Sequence, residues 1–263
     1  MRALLSTEAG GPETLAVGEI EEPVAGPGEV VVKVAGCAIN FPDALIIRDM
    51  YQFKPQRPFA PGGEVSGTIA AVGEGVEGWK PGDRVAAITI HGGLREKTAI
   101  AASRLFPVPD GIDLASAAAM PMTYVTALYA LRNRGELTAG DTLLVLGAAG
   151  GVGLAAVELG KYLGARVVAA VSSEEKAQAA REAGADETVI YSRGPFDKDS
   201  SRALAGQFKD ACGPDGAQVI IDNVGGDYSE PALRAIGWEG RFLVVGFPAG
   251  IARLPLNLTL LKS

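Results

Sequence analysis

The sequence has few of the side chains that build metal or disulfide sites. Its 263 residues include only two cysteines and one histidine. Cys37 and Cys212 lie far apart and form no Cys-x-x-Cys pair, so they indicate neither a disulfide framework nor a zinc cluster. We expect free thiols and a cytoplasmic protein. His91 precedes two glycines, and we interpret it as a solvated loop residue.

Runs of positive charge and long apolar segments are also missing. The formal net charge is -7 without a lysine or arginine run, which argues against nucleic acid and anionic membranes as partners. Residues 1–8 lack the apolar region of a secretory signal. The uncharged stretch between Asp141 and Glu158 is too short and too rich in glycine to span a membrane. Hydrophobic residues make up 48%, which is typical of a globular chain long enough for two domains.

The most informative segment is 141–158, where a short apolar strand runs into glycines and then into an amphipathic helix. The spacing is GxxGxxG rather than GxGxxG, and a second strand follows at 166–171. Glycines allow a tight turn and close approach to a pyrophosphate, while the free N–H groups of the helix start face the anion. We therefore predict a dinucleotide site, formed by Gly147, Ala149, Gly150, Gly151, Val152 and Gly153.

The two halves of the chain have different patterns. Up to about residue 112, short β-rich runs at 30–34, 65–72 and 84–88 are punctuated by Pro-Gly pairs, which predicts an irregular, partly barrelled β domain. Residues 114–131 are rich in helix formers, and strands then alternate with helices as in a doubly wound parallel sheet. We predict domains at 1–114 and 115–263, the second with five strands at 142–146, 166–171, 187–191, 218–223 and 241–246.

Several motifs in one order carry a family resemblance. They are GCAINFPD at 36–43, PFAPGGEVSG at 58–67, WKPGDRV at 79–85, AAMPMTY at 118–124 and the glycine turn at 147–153. With them the chain resembles, over essentially its whole length, the zinc-independent quinone oxidoreductases of the medium-chain dehydrogenase/reductase superfamily. The resemblance implies an α/β protein with a GroES-like β-rich N-terminal domain and a Rossmann nucleotide-binding domain. It also implies a cleft between them that holds reduced nicotinamide beside the substrate.

The resemblance also indicates whether the chain has the zinc ligands of related enzymes. Zinc-dependent relatives place a cysteine before an aspartate in the first motif and a histidine before the glutamate in the second. Here those places are taken by Asn40 and Gly63, and the clustered cysteines of a structural zinc lobe are missing. We predict no metal. Without a Lewis acid, alcohol oxidation loses its electrophile, so we expect hydride delivery to a quinone or an α,β-unsaturated carbonyl.

By resemblance, Asn40 and Asp43 line the floor of the active cleft, in a loop after the 30–34 strand. Their short polar side chains can equally shape a turn. Tyr51 matches a tyrosine that faces substrate in related reductases, where a phenol can donate to the oxyanion formed as hydride adds. It can also be an ordinary half-buried ring.

The second Rossmann strand bears on the choice of cofactor. It ends without the acidic residue that binds the ribose diol of NAD. Ser172 stands at this end instead, and Lys176, four residues later, supplies a cation. Tyr191 matches a tyrosine that contacts the adenosine phosphate in relatives. Together these favour NADP(H), although Ser172 with Glu175 can instead form a capping box. By resemblance, the nicotinamide and its ribose contact Thr123, Asn223, Val224, Gly246 and Phe247.

The resemblance leaves the end of the chain and the substrate open. Relatives continue beyond 256–263 into a sixth strand that joins two subunits, so we expect a truncated member for which the family's homodimer and full activity are open. One alternative function is a 2-enoyl-thioester reductase, which needs a basic channel for a carrier phosphate. Arg48, Lys54 and Arg57 are compatible with such a channel and can equally belong to a solvated face. Another is a crystallin-like nucleotide-binding protein with little catalysis.

Overall fold

The computed structural model describes residues 1–262. The chain divides into two compact units, Met1–Met122 and Thr123–Ser263. The sequence-based boundary at 114/115 lies inside the first unit, at the start of a short helix, Leu114–Ala118.

The first unit is built mainly from strands. They are β1 (Arg2–Ser6), β2 (Leu15–Glu19), β3 (Glu29–Ala38), β4 (Glu64–Val72), β5 (Arg84–Ile88), β6 (Lys97–Ala101) and β7 (Leu105–Pro107). Five of them form one antiparallel sheet in the order β6-β3-β4-β5-β7, and β1 pairs with β2 separately. Val30, Val32 and Val65 lie in its buried cluster. This is the β-rich domain that the short runs and Pro-Gly pairs predict.

Strand β3 is longer than the sequence indicates. Its pairing with β4 continues through two register irregularities to Ala38, which lies opposite Glu64. Helix α1 (Phe41–Ile46) then starts, with Asn40 as its N-cap. The prediction that Asp43 lies in a loop is therefore wrong: Asp43 belongs to the first turn of α1, because Asn40 and Asp43 form a capping box and a proline occupies the start of the helix.

The segment 114–131, which is rich in helix formers, forms several short helices rather than one. Helix α2 (Leu114–Ala118) ends before Pro121, α3 (Pro121–Leu128) begins at that proline, and a π-helical turn, Tyr129–Arg134, follows. Proline has no N–H to donate and disfavours the helical region for the residue before it, so the helix must restart there.

The second unit contains a parallel sheet. Its strands are β8 (Thr142–Leu146), β9 (Arg166–Val171), β10 (Glu187–Ile190), β11 (Ala217–Asp222) and β12 (Ile236–Val244). Their order is β10-β9-β8-β11-β12, so β12 is an edge strand. The prediction of five strands is confirmed, and β12 starts earlier than predicted because its pairing with β11 includes a register irregularity. The helices are α4 (Gly151–Tyr162), α5 (Glu174–Glu182), α6 (Lys198–Cys212), α7 (Ser229–Arg234) and α8 (Asn257–Leu260).

Helices cover both faces of this sheet. Successive strand residues point to opposite faces, so Val145 packs with α4 and α5 while Leu144 packs with α6 and α7. The structure is thus the doubly wound sheet that the βα alternation predicts. Within residues 1–262, no helix combines the length and the apolar character needed to cross a bilayer.

We expect Phe208→Ala to destabilise the second unit by about 3–5 kcal/mol, because this fully buried ring of α6 fills the core on one face of the sheet. Urea denaturation followed by circular dichroism measures the change. Tyr162→Ala is the control, since Tyr162 is 85% exposed and its loss should change the free energy of unfolding by less than about 0.5 kcal/mol. Equal effects of the two substitutions would contradict this packing.

Candidate active site

In the first unit, Asn40 is held between two buried carboxylates. Its backbone N–H donates to Asp43 Oδ2 at 2.7 Å, and its side-chain Nδ2 donates to Glu64 Oε1 at 2.8 Å. The other oxygen of each acid accepts a backbone N–H: Gly62 donates to Asp43 Oδ1 at 3.1 Å, and Met122 donates to Glu64 Oε2 at 2.7 Å. The end of β3, the start of α1 and the start of β4 meet in this cluster.

The two carboxylates are paired with donors rather than with cations. Burial raises the pKa of Asp43, and the backbone N–H groups of Asn40 and Gly62 act in the opposite direction. Burial also raises the pKa of Glu64, and the neighbouring Asp43 charge adds to that rise. A like charge nearby disfavours ionisation of both groups. The ionised form of each acid is therefore stabilised mainly by the hydrogen bonds that it accepts from Asn40, Gly62 and Met122.

Cys37 lies beside the same cluster. Burial, with Asp43 and Glu64 nearby, raises the pKa of its thiol to about 12, so it is an unreactive thiol. A Cβ on Gly62, whose φ is 101°, would lie 2.5 Å from Cys37 Sγ, which requires glycine there. Across the part of the chain that the structure describes, no group of three His, Cys, Asp or Glu side chains is placed to hold a metal ion.

Tyr51 belongs to a different cluster of the first unit. Its half-buried ring packs with Ile46, Ile47 and Phe59, and its centroid lies 5.9 Å from that of Phe53. No partner for its hydroxyl is found within residues 1–262. The structure therefore supports the ring-packing interpretation and leaves the hydroxyl available to a ligand.

The predicted basic channel is only partly available. Arg57 donates to Ser6 Oγ at 3.3 Å and to the Ile47 carbonyl at 3.1 Å, and it forms an ion pair with Asp49 at 2.8 Å. Arg48 donates to the Ala44 carbonyl at 2.7 Å. These cations are used to hold the loop around Tyr51, which weakens the case for a carrier-phosphate channel.

In the second unit, the glycine turn joins β8 to α4 as predicted. Gly147 has a φ of 64°, and Gly150 is the N-cap of α4. A Cβ on Gly153 would lie 2.3 Å from the Gly147 carbonyl oxygen, so no larger residue fits there. The first N–H groups of a helix have no intrahelical acceptor, and here no side chain caps them. Thr123 lies against Gly151, because a Cβ there would be 2.9 Å from Thr123 Cγ2.

Asn223 follows β11 beside this turn. Its Nδ2 donates to the Leu146 carbonyl at 2.9 Å, whereas its buried Oδ1 has no partner among the described residues. Buried Asp222 fixes the turn by accepting from Val224 N at 2.9 Å, from Gly225 N at 2.8 Å and from Ser229 Oγ at 2.5 Å. An orphaned buried acceptor beside a glycine turn fits a ligand that brings a donor, such as a ribose hydroxyl.

The segment after β12 closes the same edge of the sheet. Gly246 N donates to the Asp222 carbonyl at 3.2 Å, and Ala249 N donates to the Val224 carbonyl at 2.9 Å. A Cβ on Gly225 would lie 2.8 Å from Phe247 Cα, so this close approach requires glycine. Val224 in turn abuts Gly147, since its Cγ2 would be 3.0 Å from a Cβ there. The structure thus brings together the predicted residues of three strand ends, as carboxyl-end crevices of such sheets require.

Ser172, Lys176 and Tyr191 line one cavity of about 750 Å³ at the end of β9. Lys176 Nζ donates to Ser172 Oγ at 3.0 Å. The predicted capping box with Ser172 is wrong: Ser173 is the N-cap of α5 and accepts from Lys176 N, because β9 ends at Val171 and leaves Ser172 facing the cavity. Burial raises the pKa of Tyr191 to about 12, and its ring centroid lies 4.9 Å from that of Tyr228.

Sequence reasoning missed three functional candidates. Arg193 lines the same cavity and makes no ion pair within residues 1–262. Its position in the sequence, just after the end of β10, could have indicated a cation near the cofactor. Glu64 was recognised only as part of a motif, although an acid in an apolar strand segment signals a buried charge. Asp222 was included in the predicted strand without a role, although it is the acid that ends β11.

Comparisons with known proteins agree with this geometry. Residues 26–110 match the family model described as Alcohol dehydrogenase GroES-like domain, and residues 151–263 match Zinc-binding dehydrogenase. Quinone oxidoreductase-like protein 2 of Bos taurus is 40% identical over an alignment of 264 positions that covers 100% of this chain and 73% of the relative. The expected GroES-like and Rossmann domains are thereby confirmed.

Solved structures agree as well. A mycobacterial protein complexed with NADPH has a TM-score of 0.90 at 32% identity, with 100% of this chain and 79% of that chain covered. Escherichia coli quinone oxidoreductase complexed with NADPH has a TM-score of 0.89 at 29% identity, with 100% and 78% covered. The chain belongs to the quinone oxidoreductase family of the medium-chain dehydrogenase/reductase superfamily.

Proposed function

We propose that this chain is an NADPH-dependent oxidoreductase that reduces a quinone or an α,β-unsaturated carbonyl without a metal. The observation that carries the proposal is the cavity at the end of β9, where Lys176 and Arg193 lie beside Ser172. An enzyme specific for NAD commonly has an acid at this strand end. The lining also includes one acid, Asp227, whose Oδ2 accepts from the Phe196 backbone N–H at 3.3 Å. Two cations and a hydroxyl against this one acid suit a 2′-phosphate.

The residues of the second unit fit the cofactor, NADP(H). The glycine turn exposes N–H groups at the start of α4, which can bind a pyrophosphate. Asn223 Oδ1, the orphaned buried acceptor, can accept from a ribose hydroxyl. The two relatives whose structures contain NADPH support this assignment. When bound, the reduced nicotinamide supplies a hydride.

The first unit supplies polar groups for the acceptor. A quinone or enone that gains a hydride becomes an anion, and a neutral product forms when it also gains a proton. Asn40 offers an amide N–H to that oxygen, and the Tyr51 hydroxyl can donate the proton. Asp43 holds the start of α1 through the backbone N–H groups of Asn40 and Gly62, so its role is to position Asn40.

The absence of a suitable ligand set supports reduction without a metal. Asn40 and Gly63 occupy the places of the cysteine and the histidine of zinc-dependent relatives, and residues 1–262 place no three ligating side chains together. Reduction of an electron-poor acceptor does not need the Lewis acid that alcohol oxidation uses.

We expect NADPH to bind at least tenfold more tightly than NADH, a difference of about 1.4 kcal/mol. Lys176→Ala should remove most of that preference, because it deletes a cation from the cavity beside Ser172. Fluorescence titration with each cofactor measures both dissociation constants. Lys209→Ala is the control, since Lys209 is exposed on α6 and does not line this cavity. Equal affinities for the two cofactors in the unaltered protein would refute the assignment.

Elemental analysis of the purified protein should find no stoichiometric zinc, and chelators should leave NADPH oxidation unchanged. The expectation follows from Asn40 and Gly63, neither of which provides a thiolate or imidazole ligand. One zinc per chain that resists dialysis would overturn both the metal-free reaction and the proposed substrate class.

Tyr51→Phe should slow enone reduction about 100-fold, as the loss of one oxyanion donor typically does. Reduction of a readily reduced ortho-quinone should slow less, because its anion needs less help from a donor. Steady-state NADPH oxidation with both acceptors measures this ratio, and Tyr162→Phe, at an exposed tyrosine, is the control. Unchanged rates in a folded, NADPH-binding variant would show that the phenol only packs.

A further inference from the structure

Glu64 is a buried acid in an unusual setting. Its side chain is fully buried at the start of β4, and it makes no ion pair with any described residue. Its oxygens accept from the Asn40 side chain and from the Met122 backbone. A buried carboxylate without a cation is costly, and such groups concentrate at functional sites.

Only a carboxylate satisfies the donors around it. Met122 N–H and an Asn40 N–H each point at one oxygen of Glu64. The Met122 N–H belongs to the backbone, so it can only donate to Glu64 and cannot be exchanged for an acceptor. Asn40 cannot turn round either, because its amide oxygen would then face the Glu64 carboxylate, and two acceptors cannot bond to each other. The Asn40 amide is therefore held in one orientation, with one N–H on Glu64.

We propose that Glu64 is the positioning residue for Asn40: it binds one amide N–H, so that the second N–H is fixed for the oxygen of the bound acceptor. This second N–H has no partner within the described part of the chain. The proposal rests on the proposed function, since it assigns to Asn40 the stabilisation of an oxyanion. Donors held in place before reaction stabilise a developing charge more than mobile donors do.

Replacing the acid by its amide tests the orientation. In Glu64→Gln, one oxygen remains for two donors, so the new amino group faces either the Met122 N–H or the Asn40 amide. We expect kcat/KM for an ortho-quinone with NADPH to fall at least tenfold, which is about 1.4 kcal/mol. The Kd for NADPH should not change. Glu96→Gln is the matched control, because it also neutralises an acid of the first unit, but one that is exposed and pairs with Arg2.

Exchanging the Asn40 amide and the Glu64 carboxylate separates the effect on catalysis from the effect on the stability of the fold. In the double variant Asn40→Asp with Glu64→Gln, the introduced amide can donate to the introduced carboxylate and still accept from the Met122 N–H, and the carboxylate can still cap α1. We expect urea denaturation to give a free energy of unfolding close to that of the unaltered protein. Turnover should stay as low as in Asn40→Ala, because the introduced carboxylate has no N–H for the acceptor. Turnover restored by the exchange would overturn the proposal, and so would an exchange variant no more stable than Glu64→Gln.

Nuclear magnetic resonance can detect the hydrogen bond between Glu64 and the Asn40 amide independently of turnover. The protein is labelled with ¹⁵N-asparagine, and the sequence has few other asparagines, namely Asn133, Asn223 and Asn257. The Asn40 side-chain signal is identified by its loss in Asn40→Ala. One of its two protons should be shifted downfield by the charge-assisted bond to Glu64, and Glu64→Gln should abolish that shift. An Asn40 signal unchanged in Glu64→Gln would overturn the proposal. Failure of the unaltered protein to reduce any acceptor would refute the proposed function, while this signal would still decide whether Glu64 holds Asn40.

Discussion

A buried carboxylate must be matched by hydrogen-bond donors, and this constraint shapes both candidate sites. Asp43 and Glu64 in the first unit, and Asp222 in the second, are all buried and accept from backbone N–H groups of the adjoining turns. Each acid therefore constrains the backbone of the turn beside it. In both units the turn so fixed carries an asparagine, Asn40 or Asn223. Each asparagine anchors its Nδ2 on the protein and keeps further hydrogen-bonding capacity for a ligand.

Local patterns account for what could be predicted. The strands at 142–146 and 166–171 have the predicted bounds because an apolar run, a glycine turn and an amphipathic helix are all visible within one short segment. The composition of residues 114–131 indicates helical structure, whereas the division into Leu114–Ala118 and Pro121–Leu128 depends on the single residue Pro121. The capping box was placed one residue early because Ser172 and Ser173 are equally good caps, and only the end of β9 decides between them.

The role of Glu64 depends on contacts that no local pattern contains. Strand alternation predicts one buried and one exposed face, yet residues 64–67 of β4 are buried on both. On the chain, Asn40 and Met122 lie far from Glu64, and their donors reach it only after β3, α1 and α3 have formed. A sequence can therefore suggest that Asn40 matters, but it cannot indicate which group orients its amide. The same holds for Asp222: the predicted strand at 218–223 includes it, but its partners Val224, Gly225 and Ser229 lie in the turn that follows the strand.

Acidic residues lie next to Lys176, since Glu174 and Glu175 belong to the same helix turn, and on sequence alone they oppose a phosphate site. Glu174 forms an ion pair with Arg181, one of the bases of α5, so part of its charge is neutralised within the helix. Lys176 instead turns to Ser172 inside the cavity, where Arg193 adds a second cation. Electrostatic attraction falls with distance and with screening by salt, so the two cations that line the cavity act on a ligand there more strongly than Glu174 and Glu175 do. Asp227 also lines the cavity, and its Oδ2 accepts from the Phe196 backbone N–H at 3.3 Å. The net charge of -7 is thus compatible with a local preference for the more highly charged cofactor.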